Sequence, residues 1–309
     1  MIIFDIKKRC TEHLGGRTWR TWISASSLMR IAWIGNSFIY FNELPAMIAA
    51  LLMTAGEPAA DHGQVTPGGQ RFAGHAADAK VTTLLSHEGA PPWDVVILQD
   101  NSGIPGGFDA DALAESREAL TSTLVPMVPR SARLILYGTW GHMRGSVYEA
   151  QRTAYPDYVT MQRLTTKGIE DYRELIAEQH QRPIEFAPVG DAFQLIYDDE
   201  VNRGVEPTSA ESLFARLFVP DMFHPSRLGS FLAASVFAHL LLLGDPQKLA
   251  ASRPFRPAPS CKFDRKLKER FGEDWVPAEM SEEDAARLQD AARRAVEARA
   301  SSCAGEHAI

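Results

Sequence analysis

Arg30-Ile31-Ala32-Trp33-Ile34-Gly35-Asn36-Ser37-Phe38 is the stretch on which the fold turns. Ile31 to Ile34 is an unbroken apolar run, the composition of a strand buried on both faces, as happens when helices cover both sides of a parallel sheet. Gly35 ends the run at a residue that lets the backbone bend sharply. Beyond it, Leu44 to Thr54 is apolar with Pro45 in its first turn, which reads as a helix.

The same alternation repeats downstream. Strand candidates are Ile31 to Ile34, a weaker one near Gly63 to Val65, Val95 to Leu98, Leu134 to Tyr137, and Ile184 to Ala187. Helices are expected over Leu44 to Thr54, Phe72 to His87, Ala110 to Val125, Met161 to Gln179 and Leu228 to Leu243. Strands alternating with helices predict a parallel α/β sheet. Right-handed crossovers then favour a doubly wound, three-layer α/β/α sandwich with five parallel strands. Three regions are expected: an N-terminal extension over 1–29, with Met29 an equally good start; an α/β domain over 30–244; and a Pro-rich linker (Pro246, Pro254, Pro257, Pro259) with a C-terminal helix over 245–309. That helix begins at Ser281, ahead of Glu282, Glu283 and Asp284, and carries Leu288, Ala292 and Val296 on one stripe, the pattern of a docking helix.

Composition narrows the function classes. The 309 residues are 45% hydrophobic and 23% charged, ordinary globular usage. A formal net charge of −7 gives no basic footprint for nucleic acid or anionic lipid. Cys10, Cys261 and Cys303 are too widely spaced for a zinc knuckle or redox pair and read as reduced bystanders. The sequence shows no signal peptide and no run of about 18 apolar residues, so a cytoplasmic protein without membrane insertion is expected.

In open parallel sheets, ligands sit beyond the carboxyl ends of the strands. Strand one ends in Gly35-Asn36-Ser37-Phe38, strand two is followed by Pro67-Gly68-Gly69, and strand three ends in Gln99-Asp100-Asn101-Ser102. In a 2-1-3-4-5 sheet these turns are neighbours. Ser37 would be a nucleophile at a tight turn. The N–H groups of Ser37 and Gly69, with the Asn101 amide, would converge on a developing oxyanion. The base is sought in Asp221-Met222-Phe223-His224-Pro225-Ser226: the spacing lets Asp221 reach Nδ1 of His224 while Nε2 faces the serine. Ser226 would cap the helix that follows. A serine after Asn near a helix start is more often a cap, but Asn42, ahead of Glu43 and Pro45, is expected to cap the first long helix and leave Ser37 free.

These four blocks, in this order, resemble those of the SGNH/GDSL hydrolase superfamily over about Arg30 to Gly244. The resemblance implies a flavodoxin-like sheet of order 2-1-3-4-5, ester hydrolysis, and a carbohydrate O-acetyl ester as the family-level substrate. It places the nucleophile at Ser37, the oxyanion glycine at Gly69, the oxyanion asparagine at Asn101, and the Asp-His pair at Asp221 and His224. The first block has Asn36 where the family usually has aspartate. The third departs from the usual G-x-N-D, which makes Gln99 a second candidate donor, as Gly68 is beside Gly69.

Asn36 and Trp140, the latter in Tyr137-Gly138-Thr139-Trp140-Gly141-His142, are expected to contact substrate, Trp140 by stacking on a sugar ring. His142 and His75 have no partner at a metal-ligating spacing, so no metal is expected, and no other cofactor. Gly35-Asn36-Ser37-Phe38 lacks the glycine pattern and lysine of nucleotide-binding loops. A carbohydrate or small-molecule binding module on the same fold, or a short-chain lipid esterase, are the alternatives.

Overall fold

A computed structural model describes residues 28–58, 60–86, 91–242, 267–272 and 279–305. Five strands, β1 (Arg30–Ile34), β2 (Asp61–Val65), β3 (Val95–Leu98), β4 (Arg133–Tyr137) and β5 (Glu185–Ala187), form one parallel sheet in the order β2-β1-β3-β4-β5. The register pairs Ile34 with both Val65 and Leu98, so the turns after β1, β2 and β3 emerge side by side.

Alternate residues of each strand enter two separate cores, the consequence of a period-2 backbone. Ile31, Trp33, Val95, Ile97, Ile135, Tyr137 and Ala187 face α2 (Leu44–Thr54), α8 (Val189–Asn202) and α10 (Arg227–Leu241). Ala32, Ile34, Val96, Leu98, Leu134, Leu136 and Phe186 face the helices of the other side: α3 (Phe72–Ala76), α4 (Ala79–Ser86), α5 (Ala110–Ala119) and α7 (Tyr158–His180). The chain is therefore an α/β/α sandwich.

Helix α10 is buried almost all round, from Leu228 to Leu241. A helix apolar on every face needs cover on every face. The C-terminal helix Glu282–Gly305 supplies the outer cover, bringing Ala285, Leu288, Ala292 and Val296 into the same core as the sheet. Each fully buried Leu or Val side chain there contributes about 1.5–3 kcal/mol.

Several expectations change in detail. The helix expected over Phe72 to His87 divides between Ala76 and Ala79, because the Asp78 carboxylate accepts the Lys80 N–H and starts a new helix. The helix from Ala110 is capped by Asp109 and continues through a π-helical turn at Leu120–Leu124 into α6 (Val125–Met127). Helix α8 and the short α9 (Leu213–Arg216) were not expected at all. The run Ser37–Thr54 is long and apolar enough to cross a membrane, contrary to the sequence expectation, but it is 61% buried inside the protein and broken at Asn42 and Glu43, where φ is 53° and 54°. Residues 1–27, His87, the Pro-rich segment and the cysteines Cys10 and Cys261 lie outside the described residues.

Candidate active site

The turn after β1 is built around a glycine. A Cβ on Gly35 would lie 2.5 Å from Gln99 Oε1 and 2.5 Å from Ile39 Cδ1, so no larger residue fits. That closeness lets Gln99 Oε1 accept the Asn36 N–H at 2.8 Å. Asn36 then opens α1 (Ser37–Tyr40) as its cap: Oδ1 accepts the Phe38 N–H, and Nδ2 donates to the Gln70 carbonyl at 3.0 Å, tying the first turn to the second. Ser37 follows at the first position of α1, 6% exposed.

On the other side, the loop before α10 is pinned at several points. The Ser226 N–H donates to Leu217 O at 2.7 Å, the Val219 N–H to His224 O at 3.0 Å, and Ser226 Oγ caps α10 through the Leu228 and Gly229 N–H groups. Asn42 does not cap α2. Its Nδ2 donates to Pro225 O at 3.1 Å and to Ser230 Oγ at 2.8 Å, fastening the segment after Ser37 to the histidine loop. Its left-handed backbone aims the amide there.

The result brings together residues 187 positions apart. His224 Nε2 lies 2.8 Å from Ser37 Oγ, and His224 Nδ1 lies 2.8 Å from Asp221 Oδ2. A carboxylate only accepts, so Nδ1 carries the proton and Nε2 accepts from the serine hydroxyl. Asp221 Oδ1 is held by the backbone N–H groups of Phe223 (3.3 Å) and His224 (3.0 Å). The imidazole is enclosed by aromatic rings, with Phe41 stacked at 4.1 Å and Phe38 edge-on at 5.8 Å. Burial lowers the His224 pKa below 6.5, and the nearby Arg270 charge adds to this, against the opposing pull of Asp221. Burial works to raise the Asp221 pKa, but the hydrogen bonds from His224 and the backbone outweigh it and the net shift is downward. At neutral pH the pair is a neutral imidazole beside a carboxylate.

A cavity of about 260 Å³ opens over Ser37. Gly68, Gly69 and Asn101 line it with Asn36, Ser37 and His224. Gly69 has φ +70°, which favours glycine, and a Cβ there would meet nothing within 4 Å. Asn101 Nδ2 donates to Gly69 O at 3.3 Å, and Asn101 Oδ1 accepts the Gly103 N–H. Behind them the buried Asp100 carboxylate joins the two turns, Oδ1 accepting from the Phe72 and Asn101 N–H groups and Oδ2 from the Tyr172 hydroxyl at 2.9 Å. Burial raises the Asp100 pKa.

Two expected site residues are elsewhere. Gln99 is fully buried, with Oε1 on Asn36 and Nε2 on the Asp100 carbonyl, so it supports the turn from beneath and does not line the cavity. Trp140 is also 0% exposed: it is sandwiched between Phe38 and Phe193, at 4.4 Å from each, and its indole N–H donates to Phe223 O. It is a core residue. Asn36 does line the cavity, but its amide is committed to Phe38 and Gln70. His75 donates from Nε2 to Gly35 O at 2.9 Å and supports the first turn, its pKa lowered by burial to about 4. Among the described residues no group of three or more His, Cys, Asp or Glu could hold a metal ion.

Sequence reasoning missed Tyr40, Tyr148 and Arg270 in the cavity wall. Arg270 lies in a charge-rich segment (Lys262-Phe263-Asp264-Arg265-Lys266-Leu267-Lys268-Glu269-Arg270) that reads as a solvated face.

No family model matches the chain, and no curated protein matches it significantly. Among solved structures, a DUF4886 family protein from Bacteroides uniformis is similar with TM-score 0.60 at 14% identity, over 87% of this chain and 95% of that one. A putative SGNH hydrolase from Slackia heliotrinireducens has TM-score 0.47 and 25% identity, over 69% of this chain and 99% of that one. A lipase/acylhydrolase from Enterococcus faecalis has TM-score 0.48 and 12% identity, over 74% and 100%. The first shares the fold. In strand order and in the sequence of its four blocks the chain resembles the SGNH/GDSL hydrolases.

Proposed function

We infer that this protein is a serine ester hydrolase working through an acyl-enzyme. The observation that carries the reading is the continuous hydrogen-bond line Ser37–His224–Asp221, with 2.8 Å at each junction. Ser37 Oγ attacks the ester carbonyl carbon while His224 Nε2 takes its proton, and Asp221 holds the imidazole in the tautomer that accepts there. The negative charge moving onto the carbonyl oxygen is met by the N–H groups of Ser37 and Gly69 and by Asn101 Nδ2, with Gly68 the alternative donor; losing one such donor typically costs about 10²–10³ in rate. Collapse of the tetrahedral species breaks the ester C–O bond, and the leaving alcohol takes the proton from His224. Water then attacks the acyl carbon while the same nitrogen takes its proton; the bond from that carbon to Ser37 Oγ breaks, and His224 returns the proton to Oγ, releasing the acid and the free serine.

The carbohydrate O-acetyl ester reading rests on Tyr40 and Tyr148, since Trp140 is buried in the core. Both tyrosines line the cavity and are exposed at its edge, where a ring can stack on them. Hydrolysis of 4-nitrophenyl acetate by the wild type and by Ser37→Ala tests the reaction. Turnover by the wild type, abolished in the variant, supports it. Equal rates contradict it, and ligand binding without turnover of any acyl ester would favour a binding module.

A further inference from the structure

The cavity over Ser37 differs in charge from the chain that builds it. The protein carries a formal net charge of −7, yet among the described residues no acidic side chain lines this cavity, and the one permanently charged group in its wall is Arg270. The two histidines in the wall are neutral at pH 7, since burial lowers the His142 pKa to about 3 and that of His224 below 6.5.

Arg270 meets Asp221 with a single nitrogen, Nη2 at 3.1 Å from Oδ2, and its side chain is 48% exposed. A guanidinium presents five N–H donors in a planar fork. Arg270 has no other hydrogen-bond or ion-pair partner among the described residues, so the rest of that fork is open to a ligand at the cavity mouth. Asp221 does not need Arg270 to be oriented. Its Oδ2 already accepts from His224 Nδ1, and its Oδ1 from two backbone N–H groups.

The cavity wall also presents a second donor. His142 Nδ1 accepts the Val147 N–H at 3.2 Å, so its proton sits on Nε2, 3.4 Å from Ser102 Oγ. Ser102 accepts that proton's hydrogen bond, which leaves its own O–H to donate into the cavity it lines.

We propose that Arg270 forms an anion subsite beside the nucleophile, and that the substrate is an ester bearing a carboxylate or comparable anionic group. A carboxylate fits the free edge of a guanidinium through two parallel hydrogen bonds. The proposal rests on the ester-hydrolase reading and narrows its substrate class. The anion can lie on the alcohol or on the acyl portion of the ester.

Two matched pairs separate those portions: 4-acetoxybenzoate against 4-acetoxybenzamide for the alcohol side, and mono-4-nitrophenyl adipate against 4-nitrophenyl hexanoate for the acyl side. The readout is the ratio of kcat/KM for the anionic ester to that for its neutral partner, because loss of the contact with Asp221 affects both members of a pair alike. In at least one pair the ratio should fall roughly tenfold from wild type to Arg270→Gln, mainly through KM, and should be only partly kept in Arg270→Lys, which retains the charge but not the paired donors. It should also shrink in the wild type as salt is raised. Unchanged ratios in both pairs, or an equal loss of kcat on all four esters, would reduce Arg270 to a support for Asp221 and overturn the proposal.

Should the wild type hydrolyse none of the four, the ester-hydrolase reading fails separately, and the subsite is read by calorimetry. Ser37→Ala should bind 4-acetoxybenzoate more tightly than 4-acetoxybenzamide, and Arg270→Gln in that background should remove the difference. Equal affinities in Ser37→Ala would overturn the subsite.

Discussion

Phe41 lies flat against the imidazole of His224, ring centroids 4.1 Å apart and planes within 3° of parallel. Phe41 sits four residues beyond Ser37, so the turn that presents the hydroxyl also walls off one face of the base that would activate it. Water excluded from that face disfavours imidazolium, and the contact restricts the orientations in which Nε2 can reach Ser37.

The pH dependence follows from this packing. The acid limb of kcat/KM should have its midpoint below 6.5, because burial, helped by Arg270, lowers the His224 pKa despite Asp221. Activity is lost as pH falls through that value and His224 takes a proton. Phe41→Ala, which admits water, should move the limb up toward 6.5 and lower kcat/KM about tenfold through looser positioning. Arg270→Gln removes a neighbouring positive charge and should also move the limb upward. Rate profiles over pH 4–9 check both shifts (about that range brackets the ordinary histidine value).

Asp221→Asn should leave the fold intact and reduce kcat by about 10⁴, since an amide nitrogen facing Nδ1 favours the wrong tautomer. The measurement is steady-state hydrolysis beside a thermal melt. A melting temperature close to that of the wild type assigns the loss to the site.

Gly35→Ala should damage stability and activity together. Its methyl group would sit 2.5 Å from both Gln99 Oε1 and Ile39 Cδ1, displacing the group that holds the Asn36 N–H. Overpacking of this kind costs about 1–3 kcal/mol. Denaturant unfolding and kcat, measured on the same preparation, should both fall.

The C-terminal helix should be tied to the body by Glu200. This nearly buried carboxylate accepts from Arg287 on that helix and from the Leu213 N–H at 2.9 Å. Burial works to raise its pKa, but these hydrogen bonds outweigh it and hold the pKa below 4.5. Because the folded value is depressed, the contribution is complete above the unfolded pKa and disappears as pH falls through the folded one. Arg287→Ala should therefore destabilise by about 3 kcal/mol at pH 7, and by progressively less below pH 4.5, measured by urea unfolding across that range.

Much of this was legible because the relevant residues obey one dominant force. Ile31 to Ile34 of β1, all of β3 and Leu134 to Tyr137 of β4 are unbroken apolar runs, and α2 occupies Leu44–Thr54 as expected, since burial on both faces or on one stripe leaves a direct mark on composition. β2 was faint because it is an edge strand: Asp61-His62-Gly63-Gln64 is polar where the sheet meets solvent. Gln99, Trp140 and Asn42 were misplaced for a different reason. A polar or aromatic residue at a strand end looks the same whether it faces ligand or supports the turn from behind, and only three-dimensional partners decide. Gln99 supports Asn36, Trp140 fills the space between Phe38 and Phe193, and Asn42 reaches Pro225 across the sequence. Arg270 was hidden by its charged neighbours.

The central claim is that Ser37 is a nucleophile activated by His224. A fluorophosphonate probe applied to the intact protein, followed by peptide mapping, reads it most directly. The account predicts a single modified site at Ser37, with labelling lost in Ser37→Ala and strongly slowed in His224→Ala. Labelling at another residue, or labelling of Ser37 at an undiminished rate without His224, would contradict it.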